Sequence, residues 1–252
     1  MSGWLTALGP EGTALALLLL GHVLADFVFQ TNELAKNKHR LGPLVIHGGL
    51  VVVVHIVAIM PFLTPRTAQL VLLVGVFHVL IDAVSARIRH RVGSSTRLFL
   101  ADQLTHLLIL LIGWSLIGYA AWTDAPVVTA LGGTDSLPWS EITTGAVYVT
   151  AFVFAHIGGN TIVRGVLPED APESDEESDL EAGSLIGSLE RWIILLLGLA
   201  GLWEAVALVV ALKSIARFEE LKKRAFAEYF LVGTLTSVLV AIVLVLIVSF
   251  LV

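Results

Sequence analysis

The sequence predicts an all-α, polytopic transmembrane bundle of about seven helices, and three observations lead to that prediction. Hydrophobic residues make up 56% of the chain and charged residues only 14%, whereas about a quarter of the residues in a soluble domain are charged. Apolar runs of roughly 20 residues, the length of a membrane-spanning helix, recur along the sequence. They show no convincing β-strand pattern, and a helix satisfies its own backbone hydrogen bonds in lipid.

Seven apolar segments are candidate spans, and the first four are separated by short connections. They lie at 13–30, 44–63, 68–86, 98–122, 142–158, 186–212 and 226–252. No basic region precedes the first segment, so we expect a permanent span rather than a cleaved signal. We divide the chain into a four-span bundle at 1–122, an extramembrane loop at 123–141, a fifth span at 142–167, an acidic flexible loop at 168–183 and C-terminal helices at 184–252.

The lysine and arginine residues of the connections predict the orientation in the cell membrane, because cytoplasmic loops are enriched in them. Lys36, Lys38 and Arg40 lie between the first two spans, and the stretch from Arg87 to Arg97 lies between the third and fourth. Both connections are expected to be cytoplasmic, with the N-terminus outside. The basic stretch 213–224 does not fit this alternation, which favours an incomplete late crossing or an interfacial amphipathic helix.

Composition also limits the partners and ligands of the chain. It has no cysteine and a net charge of -6, so a bound metal must be held by imidazole and carboxylate groups. The acidic balance does not favour nucleic acid as a partner, and the lipid bilayer is the partner we expect. Most of the excess acid lies between Glu169 and Glu181, which gives this loop a halophile-like composition.

Three spans each carry an aspartate and a histidine four residues apart, a spacing that places both on one face of a helix. The pairs are His22 with Asp26, His78 with Asp82, and Asp102 with His106. The order reverses in the antiparallel fourth span. The pairs, joined by His47 at the start of the second span, are therefore predicted to share one layer near the cytoplasmic helix ends. Gln30 and Gln103 border this layer and are candidate donors to the aspartates.

A weak internal repeat supports the same layer. The segment HVLAD at 22–26 resembles HVLID at 78–82, and His47 follows the first segment at about the distance at which His106 follows the second. Two pseudo-repeated helical hairpins would bring both pairs to one centre, as in helix bundles that hold metal ions with inward carboxylates and histidines.

The cost of burying charge favours a metal at this centre. An ionised aspartate in the middle of a membrane costs about 2.5–3.5 kcal/mol, and we expect no lysine or arginine within the layer to neutralise it. A divalent cation would do so, and histidine with carboxylate suits zinc, with manganese or iron as alternatives. The competing interpretation is a network of protonated or hydrated aspartates bonded to the histidines, or a proton path.

Three further polar positions are judged from their places in the spans. His55 lies two turns deeper than His47 and is expected to be a core histidine rather than a ligand. Glu190 and Arg191 are expected to pair locally. Glu204 is expected deep in the sixth span, which makes it a functional candidate.

Several of these motifs together resemble the domain of unknown function 3307, a family of bacterial and archaeal integral membrane proteins. The similar residues are HVLADFVFQ at 22–30, His47, HVLID at 78–82 and DQLTH at 102–106, and the stretch between 186 and 235 is similar to longer members, so the resemblance covers nearly the whole chain. The resemblance implies a membrane protein but no assigned activity. Ser85 departs from the family, whose members often carry lysine at this position.

Three functions remain open on the sequence. The first is a metal-dependent hydrolase that acts on a lipid or peptide in the membrane, with metal-activated water and Asp26, Asp82 or Asp102 as the catalytic carboxylate. The second is a transporter of divalent cations or protons, and the third is a structural partner in a membrane assembly. An open coordination position at the metal would favour catalysis, and a closed one would favour structure.

Overall fold

In a computed structural model, which describes residues 3–134, 136–167 and 177–252, with side chains from 183 in the last range, the chain is 85% helical. No strand occurs in this part of the chain, so the predicted all-α class is confirmed. Six of the described helices are long and apolar enough to cross a membrane. Residues 168–176 of the acidic loop, and the side chains up to 182, lie outside the described residues.

The chain forms two compact units, one of residues up to 150 with 250–252 and one of residues 151–249. The helices in chain order are α1 (Trp4–Ala7), α2 (Pro10–Val23), α3 (Asn32–Asn37), α4 (Leu41–Ala58), α5 (Pro65–Val92), α6 (Thr96–Ile117), α7 (Ala120–Thr123), α8 (Pro126–Ala130), α9 (Trp139–Val166), α10 (Glu177–Leu199), α11 (Trp203–Ala216) and α12 (Arg224–Leu251). A π-helical turn, Leu24–Val28, continues α2.

Local sequence signals set the ends of the helices that carry the His/Asp pairs. Thr64 caps α5: its hydroxyl accepts from the Thr67 N–H at 3.2 Å, and the Thr67 hydroxyl accepts from the Thr64 N–H at 2.7 Å. Pro65 occupies the first helical position, where its missing N–H is not needed. The Ser95 hydroxyl caps α6. Long, uninterrupted helices therefore hold both pairs of the second hairpin.

The interior of the first unit is apolar at the end away from the basic connections. Ile59, Phe62 and Trp122 are completely buried in one cluster. Part of the predicted loop 123–141 belongs to this cluster as well, because Ala125 and Val128 are also completely buried. This part of the loop is therefore not exposed. The short helix α8 places apolar side chains in the core, where their burial is favourable.

The predicted sixth span, 186–212, is not a single helix. It is divided between α10 and α11 at residues 200–202, where Gly201 has a φ of +74°, a conformation that favours glycine. As a result Glu204 lies in the exposed first turn of α11 rather than deep in a span. A carboxylate at this place is favoured by the N-terminal end of the helix dipole.

Arg191 organises the second unit and is only 1% exposed. Its guanidinium donates to the backbone oxygens of Ala155 and His156 and to side-chain oxygens of Asn160, Ser188 and Ser237. The predicted Glu190–Arg191 pair is therefore wrong. Neighbours in a helix do not face each other, and Glu190 pairs instead with Lys213 of α11.

Close approach of α4 and α5 depends on Gly48, next to His47. A Cβ added at Gly48 would collide with Val79 Cγ2, whereas a Cβ at Gly49 would have nothing within 4 Å. We expect Gly48→Val to lower the free energy of unfolding by about 1–3 kcal/mol, because overpacking forces the helices apart. Gly49→Val is the matched control and should change stability by less than about 0.5 kcal/mol. Thermal unfolding in detergent measures both, and equal melting temperatures would contradict this packing.

Candidate metal centre

The seven side chains predicted to share a layer are all buried, each with at most 8% of its surface exposed. The π-helical turn after α2 carries Asp26, α4 carries His47, α5 carries His78 and Asp82, and α6 carries Asp102. His22 and His106 lie on α2 and α6. Four elements of the first unit therefore bring ionisable groups into one apolar interior.

Four of these side chains converge most closely. His47 Nε2 and His78 Nε2 are 3.0 Å apart. Asp26 Oδ1 is 3.2 Å from the first nitrogen and 3.1 Å from the second, and Asp82 Oδ2 is 3.4 Å from each. Metal–ligand bonds of 2.0–2.1 Å place neighbouring ligand atoms about 3.0–3.4 Å apart. The spacing of these atoms is therefore compatible with metal ligation. Two overlapping groups of side chains are close enough to hold an ion: His22, Asp26 and His78, and His47, His78 and Asp82.

The π-helical turn is the local feature that sets the position of Asp26. In a regular α-helix, residues four apart lie on one face. The wider turn changes this alignment: Asp26 Oδ2 is 4.0 Å from His22 Nε2, while Oδ1 of the same carboxylate reaches His47 and His78. Single π-helical turns inside α-helices are frequent at functional sites. Nothing in the pattern HVLAD indicates this turn.

Gln103 connects Asp102 to the centre through Asp26. Its amide nitrogen donates to Asp26 Oδ2 at 3.3 Å and to Asp102 Oδ2 at 3.2 Å, and its amide oxygen is 3.4 Å from His22 Nε2. These are the contacts expected of a donor that orients carboxylates. Gln30, the other candidate donor, is not part of this network, and its buried Oε1 has no hydrogen-bond partner among the described residues.

Asp102 and His106 lie beside the four converging atoms rather than among them. His106 Nδ1 is 2.9 Å from the backbone oxygen of Asp102; a carbonyl can only accept, so Nδ1 carries a proton, and in the neutral imidazole Nε2 is an acceptor. That nitrogen and Asp102 Oδ1 are buried without hydrogen-bond partners in the described part of the chain. His22, His78 and His106 line a cavity of about 10 Å³, which is close to the space of one water molecule.

Lys38 is the residue of this site that the sequence analysis missed. Its Nζ lies 2.8 Å from Asp82 Oδ2, and the lysine is only 6% exposed. The expectation that no lysine or arginine shares the layer is therefore wrong. A long side chain can place its ammonium several Å from its own backbone, and the short helix α3 folds the connection back toward α5. Counting residues along the spans gives no signal for such a contact.

His55 is a separate, deeper histidine. It is completely buried, and its Nδ1 donates to the backbone oxygen of Val51 at 2.8 Å. It is not among the groups of His and Asp side chains that are close enough to hold a metal. Its place in the helix interior agrees with the expected core histidine.

The fold and the site define a helical protein with apolar, span-length helices and a buried His/Asp centre whose atoms have metal-ligand spacing. Residues 14–128 match the model of a family described as a protein of unknown function, DUF3307. The match confirms the resemblance over the range that contains all seven His/Asp residues. The similarities between 186 and 235 lie outside it. No match was found among curated proteins or among solved structures.

The Gln103 network predicts a specific loss of stability. We expect Gln103→Leu to lower the free energy of unfolding by about 1–3 kcal/mol, because buried carboxylate oxygens lose their donor. Thr105→Val is the control on the same helix, since the exposed Thr105 hydroxyl donates only to the backbone oxygen of Ala101. Thermal unfolding of both variants in one detergent measures the difference. Equal stability of the two variants would show that Gln103 does not satisfy these carboxylates.

Proposed function

We propose that this chain is a multi-pass protein of the cell membrane that binds a divalent metal ion and hydrolyses a membrane-embedded substrate. The observation that supports the metal is the convergence of two imidazole nitrogens, of His47 and His78, with carboxylate oxygens of Asp26 and Asp82 at 3.0–3.4 Å. A donor set of two histidines and two carboxylates suits zinc, and manganese or iron are compatible with it.

The balance of buried charge also supports a bound cation. Asp26, Asp82 and Asp102 are each at most 8% exposed, and Lys38 supplies one ammonium to Asp82. Although Asp26 Oδ1 lies close to two imidazoles, it receives no well-aligned hydrogen bond from the described residues. Nitrogen and oxygen atoms that lie close together without the alignment of a hydrogen bond have the arrangement expected of ligands to one metal ion. A divalent ion there would offset the cost of burying these carboxylates.

The hydrolytic role follows from the groups beside the proposed ligands. A divalent ion would supply Lewis acidity and an activated water. Asp26 and Asp82 are then ligands, and Asp102 is the carboxylate free to act as general base. Gln103 holds one oxygen of Asp102 at 3.2 Å, while the other oxygen is buried without a partner among the described residues. Gln103 thereby orients the base and the ligand Asp26 together.

The packing of the first unit favours hydrolysis over transport. A conduction path needs polar groups across the whole thickness of the bundle. On the side of the centre away from Lys38, His55 is the buried ionisable side chain among the described residues. Beyond it lie Ile59, Phe62 and Trp122 together with the neutral hydroxyls of Thr13, Thr67 and Thr143, all completely buried. A barrier without ionisable groups supports a site that is approached from one end.

A groove between α5 and α6 supports a substrate with a hydrocarbon chain. It has a volume of about 650 Å³, and Leu73, Phe77 and Ile112 are among its apolar lining residues. Val74 and Ile109 line both this groove and the small cavity at the three histidines. A chain lying in the groove would therefore rest against the wall of the proposed metal centre. This continuity supports a lipid rather than a soluble substrate.

Metal content tests the first part of the proposal. We expect about one zinc, manganese or iron ion per purified chain, and we expect its loss in His78→Ala and Asp26→Asn, because each variant removes one proposed ligand. His90→Ala is the control, since His90 is exposed. Elemental mass spectrometry of the detergent-purified proteins measures this. A wild-type protein that holds no metal after incubation with each of the three ions would overturn the metal centre.

The general base is tested separately from the metal. We expect Asp102→Asn to retain the ion but to hydrolyse lipid phosphates or membrane peptides about 10²–10⁴-fold more slowly, because it removes the proton acceptor. Thr105→Val on the same helix should keep wild-type rates. Metal content and hydrolysis are measured on the same preparations. Metal-loaded wild-type protein without hydrolysis of any of these substrates would overturn the hydrolase.

A further inference from the structure

Lys38 brings a positive charge to the edge of the proposed metal centre. Its ammonium has three N–H donors, and Asp82 Oδ2, at 2.8 Å, is the one partner that the described part of the chain gives it. The same oxygen is 3.4 Å from His47 Nε2 and from His78 Nε2. Asp82 Oδ2 would therefore contact both the Lys38 ammonium and a metal ion held by these atoms.

The chain on either side of Lys38 forms a strongly basic rim. The rings of His39 and His90 are stacked with centroids 6.0 Å apart, so the connection between α3 and α4 lies against the end of α5. Across the two connections, at 31–43 and 83–97, the cationic residues are Lys36, Lys38, Arg40, Arg87, Arg89, Arg91 and Arg97, and the acidic residue is Glu33. The cytoplasmic location predicted for these two connections accounts for lysine and arginine residues in them. Because the His39–His90 contact brings the two connections together, their combined positive charge attracts anions to this end of the bundle.

We propose that Lys38 is the anion subsite of the centre and binds a phosphate group of the substrate. This inference rests on the proposed function, since it places the phosphate between the ammonium and the divalent ion. Lysine binds phosphate as a point charge, and an ammonium and a divalent ion together offset the charge of a phosphate dianion. A neutral substrate, such as an uncharged peptide segment, would gain nothing from this arrangement or from the basic rim.

The subsite also explains how a buried lysine and a metal can share one aspartate. Without a substrate, the Lys38 ammonium is neutralised by Asp82. A phosphate that arrives at the rim provides further acceptors for the two remaining N–H donors, so the lysine need not leave Asp82 to bind it. The residue is a contact for the substrate rather than a ligand of the ion, and its removal should spare the metal.

The test uses wild-type protein loaded with Mn²⁺ in a neutral detergent, and two phosphorus probes: inorganic phosphate, and a short-chain phosphatidate mixed into the micelle. Electron paramagnetic resonance reports whether Mn²⁺ is bound, and ³¹P relaxation reports whether phosphorus lies next to it. We expect strong relaxation in wild-type protein. Lys38→Met should weaken the affinity for phosphate about 10- to 100-fold, because a charge-assisted contact is lost, while Mn²⁺ stays bound.

Two further variants control the experiment. Lys36→Met removes an exposed cation of the same rim and should keep most of the phosphate affinity, whereas Lys38→Arg preserves the charge and should restore most of it. Relaxation of inorganic phosphate would identify the phosphate group as sufficient, and relaxation of phosphatidate alone would identify a lipid headgroup as the ligand. Both outcomes support the subsite when the relaxation depends on Lys38.

The failures of the two proposals are distinguishable. If wild-type protein binds no Mn²⁺ and no other divalent ion, the metal centre is wrong and the subsite is wrong with it. If Mn²⁺ is bound but neither phosphorus probe is relaxed, or both are relaxed equally in wild-type protein and Lys38→Met, the metal centre stands and the subsite alone is overturned.

Discussion

The burial of three carboxylates inside an apolar bundle is the constraint on which the first unit depends. Each ionised aspartate that is removed from water costs several kcal/mol unless a partner compensates for it. The chain compensates with imidazoles from four helices, with the Gln103 amide and with the Lys38 ammonium. The spacing of these groups could hold a divalent ion, and the proposed function adds that ion as the remaining partner.

Backbone geometry makes this concentration of polar groups possible. Gly48 lets α4 lie close to α5, so that His47 and His78 meet, and the π-helical turn directs one oxygen of Asp26 toward them. The polar layer is enclosed on one side by the apolar cluster around Phe62 and Trp122. The other side ends at the basic connections. The unit is therefore asymmetric, with its buried ionisable groups at one end and hydrophobic packing at the other.

The second unit also buries a charged side chain, but it stabilises that charge differently. Arg191 is as buried as the aspartates, but neutral oxygens of α9, α10 and α12 surround its guanidinium. Gly159 and Gly187 leave the space that this side chain occupies. The guanidinium donors hold three helices together, and among the described residues of the second unit no buried side-chain acceptor lacks a partner, in contrast to those of Asp102 and His106. We therefore assign the second unit no part in the proposed chemistry.

The sequence by itself determined the helical class, the long apolar helices, the family resemblance of residues 14–128 and the candidate residues of the polar layer, because hydropathy and four-residue spacing are local properties of a helix. Only the tertiary structure decided which of those residues converge. It separated Asp102 and His106 from the four close atoms, placed Lys38 on Asp82 and divided the segment 186–212 into two helices. These outcomes depend on a π-helical turn, a folded connection and a glycine break, which neither hydropathy nor the four-residue spacing indicates. The pattern of residues along the sequence gives the period of a helix, but it does not show which neighbouring helix each side chain faces.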